Sequence, residues 1–545
     1  MLNAQHDFRG GLALAGNKLY GEQAATCAAP LPRHLWIPLH QHQGPPAVPC
    51  VQPGQHVLRG DLIAKASTSA SVAVHASSSG WVRAIESRDL DQGRSVDCIL
   101  LETDQQDQAR DEALGPCYTD PDATAAETII ERIAAAGIVG LGGASFPSAT
   151  KLRAGVDRPT LEHIILNGAE CEPYISCDGA SMLEDAAAII RGGQWLLAAS
   201  GAQRLSIAIE DHHQAAIDSV NQALKRSADA RIQLVQVPSR YPQGGERQLI
   251  QSLTGLEVPL DGLPLDLGLA MFNVATAVAV KQALEESQPL TERIVTVTGT
   301  AIAQPRNWRV RLGTPISELI AASGGLTHPD PAPRLLMGGA MMGVVLPDKD
   351  VPVSKGFNCL LVGPPSDIQP AAASRACIRC GDCVEVCPAG LLPQQLYWHS
   401  QAREFQAAAK LHLDACIECG ACAVVCPSEI PLVQYYRYAK AELANAAVER
   451  RKAEHAKARY AAREKRLQRE HAEREAARQR KQAALLQAEQ TAAAKPADAT
   501  SAAVAAALAK ARAQQAKAKQ ALPPAVKAAQ ERARRQREHN SGSDN

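Results

Sequence analysis

The sequence predicts a multidomain fold: a β domain, an α/β domain, a second β-rich module, a small helical domain built on cysteines, and a helical low-complexity tail. Three observations predict it. Residues 30–105 alternate apolar and polar positions between Gly/Pro turns, and residues 120–290 alternate apolar strands with helical stretches. Eight of the 15 cysteines fall in two tight runs between 377 and 426. A chain of 545 residues is too long for one core, because domains typically hold about 100–200 residues.

Apolar residues make up 46% of the chain and aromatics only 3%. Its cores must therefore be mostly aliphatic. The scarcity of aromatics also speaks against a protein that reads RNA by stacking bases on rings, and no nucleic-acid partner is expected. The net charge is zero, yet residues 437–545 hold 25 Lys/Arg against 12 Asp/Glu, leaving 32 basic and 45 acidic residues elsewhere. An acidic body with a basic tail implies two different partners or surfaces. The seven scattered cysteines do not form a disulfide framework, which points to a reducing compartment. The first residues, MLNAQHD, lack the basic and apolar regions of a signal peptide, and there is no run of about 18 apolar residues, so no transmembrane helix is expected.

The first domain is expected over 1–118. In VQPGQHVLRG (51–60), Pro53-Gly54 and Gly60 take turn positions beside apolar alternation, and Trp81–Ile85 alternates again. It resembles the small barrel-sandwich modules that carry lipoyl or biotinyl groups, without an attachment lysine at its tip. The second domain, 119–290, has strand candidates at 164–166, 205–209 and 233–237 and helix candidates at 125–136, 181–199 and 214–226. Such alternation is the signature of an α/β layer fold. The third, 291–365, opens on Arg293–Gly299, with β-branched residues at most positions, followed by a short helix at 315–323. Its size and order resemble a soluble-ligand-binding β-grasp module. The fourth, 366–436, holds the cysteine runs. The tail, 437–545, favours helix by its Ala, Arg, Lys, Glu and Gln content, up to a break at Pro523-Pro524. Its end, Ser541–Asn545, is expected to be disordered.

Each cysteine run reads C-x₂-C-x₂-C-x₃-C-P: Cys377, Cys380, Cys383, Cys387 and Pro388, then Cys416, Cys419, Cys422, Cys426 and Pro427. This is the spacing of two-[4Fe–4S] ferredoxin domains, in which the fourth cysteine of each run serves the other cluster. Three thiolates two residues apart wrap one cluster in a tight turn, and the fourth points away. Cluster one is thus assigned to Cys377, Cys380, Cys383 and Cys426, and cluster two to Cys416, Cys419, Cys422 and Cys387. Zinc would instead use two well-separated C-x₂-C pairs.

A glycine-rich stretch, GIVGLGGASFPSATK (137–151), follows a helical segment. Its glycines free backbone N–H groups for a phosphate, and Pro147 suits a first helical turn whose N-terminus faces an anion. Taken alone this is weak evidence, better read as a tight turn, and its spacing is not that of a Rossmann loop. Three further stretches add to it: NGAECEPY (167–174), YPQGGER (241–247) and FNVAT (272–276). In order, the four resemble the flavin-binding subunit of respiratory complex I. The resemblance implies that Gly140, Gly142, Gly143, Ala144 and Lys151 cradle FMN, with Asn167, Glu170, Gly244, Asn273 and Thr276 lining it. It also implies that Phe146, Glu172, Tyr241 and Glu246 face the nicotinamide nucleotide, with Lys151, Glu172 and Glu246 the catalytic set. Three positions depart from the pattern: Leu141 stands for an arginine, Gly245 for a glutamate and Ala169 for an aspartate.

The order of the modules over roughly 30–435 resembles the RnfC family, the C-type component of the bacterial Rnf ion-translocating electron-transport complex. That resemblance implies electron transfer between NAD(H), through FMN, and two [4Fe–4S] clusters. It further implies other subunits of the complex as partners, among them an iron–sulfur subunit, and ferredoxin or a similar low-potential carrier. The chain would be a peripheral protein on the cytoplasmic face of the inner membrane. An iron–sulfur relay or assembly subunit without its own NADH site is the alternative.

Overall fold

The computed structural model describes residues 2–18, 25–91, 94–156, 161–327, 332–347, 349–364, 368, 374–493 and 499–520. The chain divides into two compact units, Met1–Ala444 and Asn445–Asn545.

The first unit is organised around a five-stranded parallel sheet: β1 (Leu2–Asn3), β2 (His163–Gly168), β3 (Arg204–Glu210), β4 (Ile232–Val237) and β5 (Leu269–Asn273), in the order β1-β4-β3-β2-β5. Its central strands read as nearly continuous apolar runs because both faces are covered. On one face Ile164, Leu166, Leu205 and Ile207 meet the helices α1 (Ala126–Ala135), α4 (Ala186–Ser200), α5 (Gln214–Ser227) and α7 (Val274–Glu285). On the other, Ile165, Ala208 and Met271 pack on Leu249 and Ile250 of α6 (Glu246–Thr254). The period of two along each strand puts neighbours on opposite faces. Helices α4 and α7 touch backbone to backbone at Gly192, where a β-carbon would lie 1.9 Å from Ala277 O.

The single helix expected over 181–199 is two, α3 (Cys177–Glu184) and α4. Asp185 leaves helical geometry at φ −111° and ψ 21°, and its carboxylate receives Arg309 Nη2 at 3.4 Å. The break falls where the sequence reads as continuous helix.

The N-terminal β domain has a four-stranded sheet, in the order His34–Pro38, Arg94–Thr103, Gly80–Asp91 and His56–Val57, and a three-stranded one of Val48–Pro49, Leu62–Lys65 and Val74–His75. Leu35, Ile37, Val57, Ile63, Val82 and Ile99 fill its core. Residues ahead of it pair elsewhere: Leu2–Asn3 edges the parallel sheet, and Cys27–Ala28 adds a parallel strand to Arg306–Arg311. That last strand belongs to the third module, a six-stranded sheet centred on Glu292–Thr298 and Cys359–Gly363, with a helix at Ile316–Ala322.

In the cysteine domain each run makes the same turn. Arg379 and Gly381, and correspondingly Glu418 and Gly420, have positive φ, and short helices follow at Asp382–Glu385 and Ala421–Val424. Gly381 and Gly420 take φ of 93° and 81°, which glycine adopts without steric cost. Helices then run over Leu432–Ala493 and Ala499–Gln520. Pro523-Pro524 and Ser541–Asn545 lie outside the described residues, as does the expected domain junction at 365–366.

Candidate flavin cleft and iron–sulfur sites

Chain order along the parallel sheet turns back between β2 and β5. Open α/β sheets bind ligands at such a switch point, outside the carboxyl ends of the strands. Asn167, next to last in β2, and Asn273, the last of β5, are register partners. A cleft of about 470 Å³ opens there, lined by Gly140, Gly142, Ala144, Phe146, Lys151, Asn167, Gly244, Glu246 and Asn273, with Met271, Phe272 and Leu263–Leu265 as its apolar wall. That volume falls within the range of about 300–1,000 Å³ typical of small-molecule sites.

The glycine loop is held from behind. Gly140 N donates to Phe146 O at 2.9 Å, Leu141 N to Thr276 Oγ1 at 3.0 Å, and Arg293 Nη2 to Leu141 O at 3.1 Å. A β-carbon at Gly142 would sit 3.4 Å from Asn273, whereas at Gly143, with φ of 109°, it would meet open space. Helix α2 (Ser148–Val156) starts directly after the loop. From its first turn Lys151 Nζ donates to Glu246 Oε1 at 3.0 Å and to Met271 O at 2.9 Å. It lies 5.6 Å from the centre of the Phe272 ring. An exposed ion pair of this kind contributes only about 0–1 kcal/mol to stability, so its place in the cleft is not explained by folding.

Both asparagines shape the cleft floor. Asn167 Nδ2 donates to Gly244 O at 2.8 Å, and its Oδ1 accepts Ala169 N at 3.0 Å. Asn273 Oδ1 caps α7 through Ala275 N at 2.9 Å, and its Nδ2 donates to Asp178 Oδ2 at 2.6 Å. Burial and the neighbouring Glu170 push the Asp178 carboxyl up to about 7.

Five residues expected at the flavin or nucleotide are not among the side chains lining the cleft. Thr276 is fully buried and supports Leu141. Gly143 forms the bend of the loop. Glu170, buried, accepts Asp178 N at 2.8 Å and Gly179 N at 3.3 Å at the start of α3, and Lys18 lies 3.5 Å from its Oε2. Glu172 accepts Met341 N at 2.7 Å and Met342 N at 2.9 Å, so it fixes a loop of the third module, and burial raises its carboxyl. Tyr241 is buried, with its hydroxyl on Cys419 O at 2.6 Å. Thr276, Glu170, Glu172 and Tyr241 satisfy backbone groups that would otherwise be buried unpaired, and a motif match does not reveal which way a side chain turns.

No motif in the sequence points to Arg293 and Lys355. Both are buried cations that hold the loop: Arg293 Nη1 donates to Lys355 O, and Lys355 Nζ donates to Ala73 O at 2.8 Å and Gly137 O at 2.7 Å. Burial draws the Lys355 ammonium down to about 7. A cation satisfied by carbonyls leaves no acid–base pairing to read in a sequence.

The cysteines converge crosswise. Cys377, Cys380, Cys383 and Cys426 line one cavity, of about 240 Å³. Cys387, Cys416, Cys419 and Cys422 line another. Burial and the neighbouring Cys416 and Cys387 push the Cys419 thiol up to about 11. Four converging soft donors that repel one another as thiolates suit a cationic iron–sulfur core, so both sets fit a [4Fe–4S] cluster.

Comparison with known proteins agrees with this arrangement. Residues 6–106 match the RnfC barrel sandwich hybrid domain, 133–282 the Nuo51 FMN-binding domain, 294–345 the SLBB domain and 376–430 a 4Fe-4S dicluster domain. Three relatives carry the name of the C-type component of an ion-translocating oxidoreductase complex. That of Pectobacterium carotovorum is 41% identical over 409 residues, 75% of this chain and 53% of its own. That of Pseudomonas aeruginosa is 42% identical, covering 74% and 51%. That of Yersinia pestis is 40% identical over 460 residues, covering 84% and 73%. The chain thus spans only about half the length of the first two. A solved NAD+-reducing [NiFe]-hydrogenase in the H2-reduced state is similar over 57% of this chain and 60% of its own, at TM-score 0.42 and 20% identity.

Proposed function

The chain belongs to the RnfC family of ion-translocating oxidoreductase components, and on that premise we propose that it passes electrons between NAD(H) and partner subunits of a membrane-bound complex, by way of FMN and two [4Fe–4S] clusters. The observation that carries the reading is the cleft at the switch point, which shares one compact unit with the two cysteine cavities.

Bound FMN supplies the exchange between two-electron hydride chemistry and the one-electron chemistry of the clusters. The chain's own part is placement. With the Gly140 and Leu141 N–H groups spent on the loop itself, Gly142–Ala144 offers backbone N–H groups, and the N-terminus of α2 favours an anion. These receive the phosphate, with Lys151 as the neutralising charge. Phe146, 39% exposed at the cleft, gives an aromatic face for a ring to stack on. Glu246 holds Lys151 in place and offers its second oxygen to a ribose hydroxyl. Asn167, Gly244 and Asn273 set the floor against which the flavin lies.

The proposed partners are NAD(H), other subunits of an Rnf-type complex including an iron–sulfur subunit, and ferredoxin or a similar low-potential carrier. The proposed place is the cytoplasmic face of the bacterial inner membrane. Among the described residues no helix is long and apolar enough to cross a membrane, so on this reading other subunits carry the ion. Purified anaerobically, the chain should hold FMN together with iron and sulfide for two clusters. Lys151→Ala should lose FMN while keeping the iron. A chain with full iron and sulfide that never retains flavin and does not bind NADH would favour the relay without a nucleotide site.

A further inference from the structure

The two cysteine cavities sit in different surroundings. Around Cys377–Cys383, Cys380 is exposed and Ile378 is 68% exposed. Around the other set, Cys387, Cys419 and Cys422 are buried, and three separate stretches close over them. Gly11 N donates to Val386 O at 3.0 Å, and a β-carbon at Gly10 would lie 2.8 Å from the Cys387 carbonyl. Met341 O lies 3.0 Å from where a β-carbon at Gly420 would be. The third stretch is the cleft loop itself. Tyr241 donates its hydroxyl to Cys419 O at 2.6 Å and pairs its backbone with Leu12 through two hydrogen bonds of 2.8 Å. A few residues on, Gly244 and Glu246 line the flavin cleft. One short segment therefore touches the cleft at one end and a cysteine-bearing loop at the other.

We propose that Tyr241 is a positioning residue for the iron–sulfur centre held by Cys387, Cys416, Cys419 and Cys422, and that this is the inner centre, coupled to the flavin cleft through residues 241–246. The proposal rests on the functional reading above, and it moves Tyr241 from the nucleotide to the cluster. The hydroxyl fixes the Cys419 carbonyl and keeps the loop dry. By donating to that carbonyl it draws electron density from the Cys419 peptide, beside a centre that would gain an electron on reduction. Hydrogen bonding and solvent exposure are among the factors that set the potential of such a centre.

The test is Tyr241→Phe in the full-length, cofactor-loaded chain, followed by EPR redox titration and by NADH binding. The ring remains, so packing is preserved. One of the two cluster signals, the one lost in Cys419→Ser, should move to a more negative midpoint. The other signal and the NADH affinity should stay in place. Unmoved midpoints with weaker NADH binding would return Tyr241 to the nucleotide and overturn the proposal while leaving the functional reading intact. An unsubstituted chain that holds neither flavin nor iron overturns both.

Discussion

Lys151 shows how a single side chain can be tied to function by its surroundings. Its ammonium reaches Glu246 and the Met271 carbonyl across the cleft, a contact that does little for stability on a wet surface. Hydrogen bonds to charged groups contribute about 1.5–3 kcal/mol, so Lys151→Ala should weaken FMN binding by roughly ten- to a hundred-fold, measured by flavin fluorescence on the iron-loaded chain. The glycine loop and Lys151 were legible in the sequence because their residue types are rare in that combination. Glu170, Glu172 and Tyr241 share the motif but turn to backbone groups, and only packing decides such a turn. Asp178 had no sequence signal, yet it holds Asn273 at the cleft floor. Its carboxyl is raised from an ordinary 3.8 to about 7. A raised group contributes fully to the native state below its ordinary value and loses that contribution as pH rises through the folded one. The contribution of Asp178 is therefore lost between pH of about 4 and 7, while the buried His42, His75, His163 and His213, drawn down to between about 3 and 4, act in the opposite direction over the lower part of that window. Asp178→Asn, which keeps an acceptor for Asn273, should remove this fall, so that its thermal stability at about pH 7 gains on that at about pH 4 relative to the unsubstituted chain. Glu210, also raised to about 7, retains part of the slope.

At the scale of elements, helix α7 joins stability to the site. It begins at Asn273, carries Thr276 behind the glycine loop, and touches α4 at Gly192. Gly192→Ala would place a methyl 1.9 Å from Ala277 O, and overpacking of this kind costs about 1–3 kcal/mol or more. A lower unfolding temperature together with weaker flavin retention is expected, whereas an unchanged flavin affinity would detach α7 from the cleft. Strand and helix positions in 119–290 were readable from periodicity, since buried parallel strands are apolar runs between amphipathic helices. The break at Asp185 was not: the sequence there reads as continuous helix, and the arginine that the Asp185 carboxylate meets, Arg309, is distant in sequence. In the cysteine domain the crossed arrangement makes the two motifs one unit. Cys387→Ser, a change in the first run, should disrupt chiefly the centre of the second, read as loss of one of two EPR signals.

At the scale of the whole molecule, the modules are legible in order from composition and motif, but their joints are not. The sequence assigns residues 1–118 to the β domain, yet Leu2–Asn3 edges the parallel sheet and Gly10–Leu12 lies between Tyr241 and Cys387. Short backbone pairings of that kind leave no pattern in side chains. The unit Asn445–Asn545 carries a net positive charge and should be separable from the redox core: removing it should leave flavin and iron content unchanged. Basic residues near an anionic surface gain about 1 kcal/mol each, so the same truncation should reduce binding to anionic vesicles in a salt-sensitive way. If the cleft and the clusters form one electron path, NADH must be able to drive it from the flavin end. The decisive measurement is a titration of NADH into the anaerobic, cofactor-loaded chain while flavin absorbance and cluster EPR are followed. NADH should bleach the flavin and bring up a reduced-cluster signal, and Lys151→Ala should abolish both while dithionite still reduces the clusters. NADH that leaves flavin and clusters of the unsubstituted chain oxidised, with dithionite reducing both, would contradict a single path.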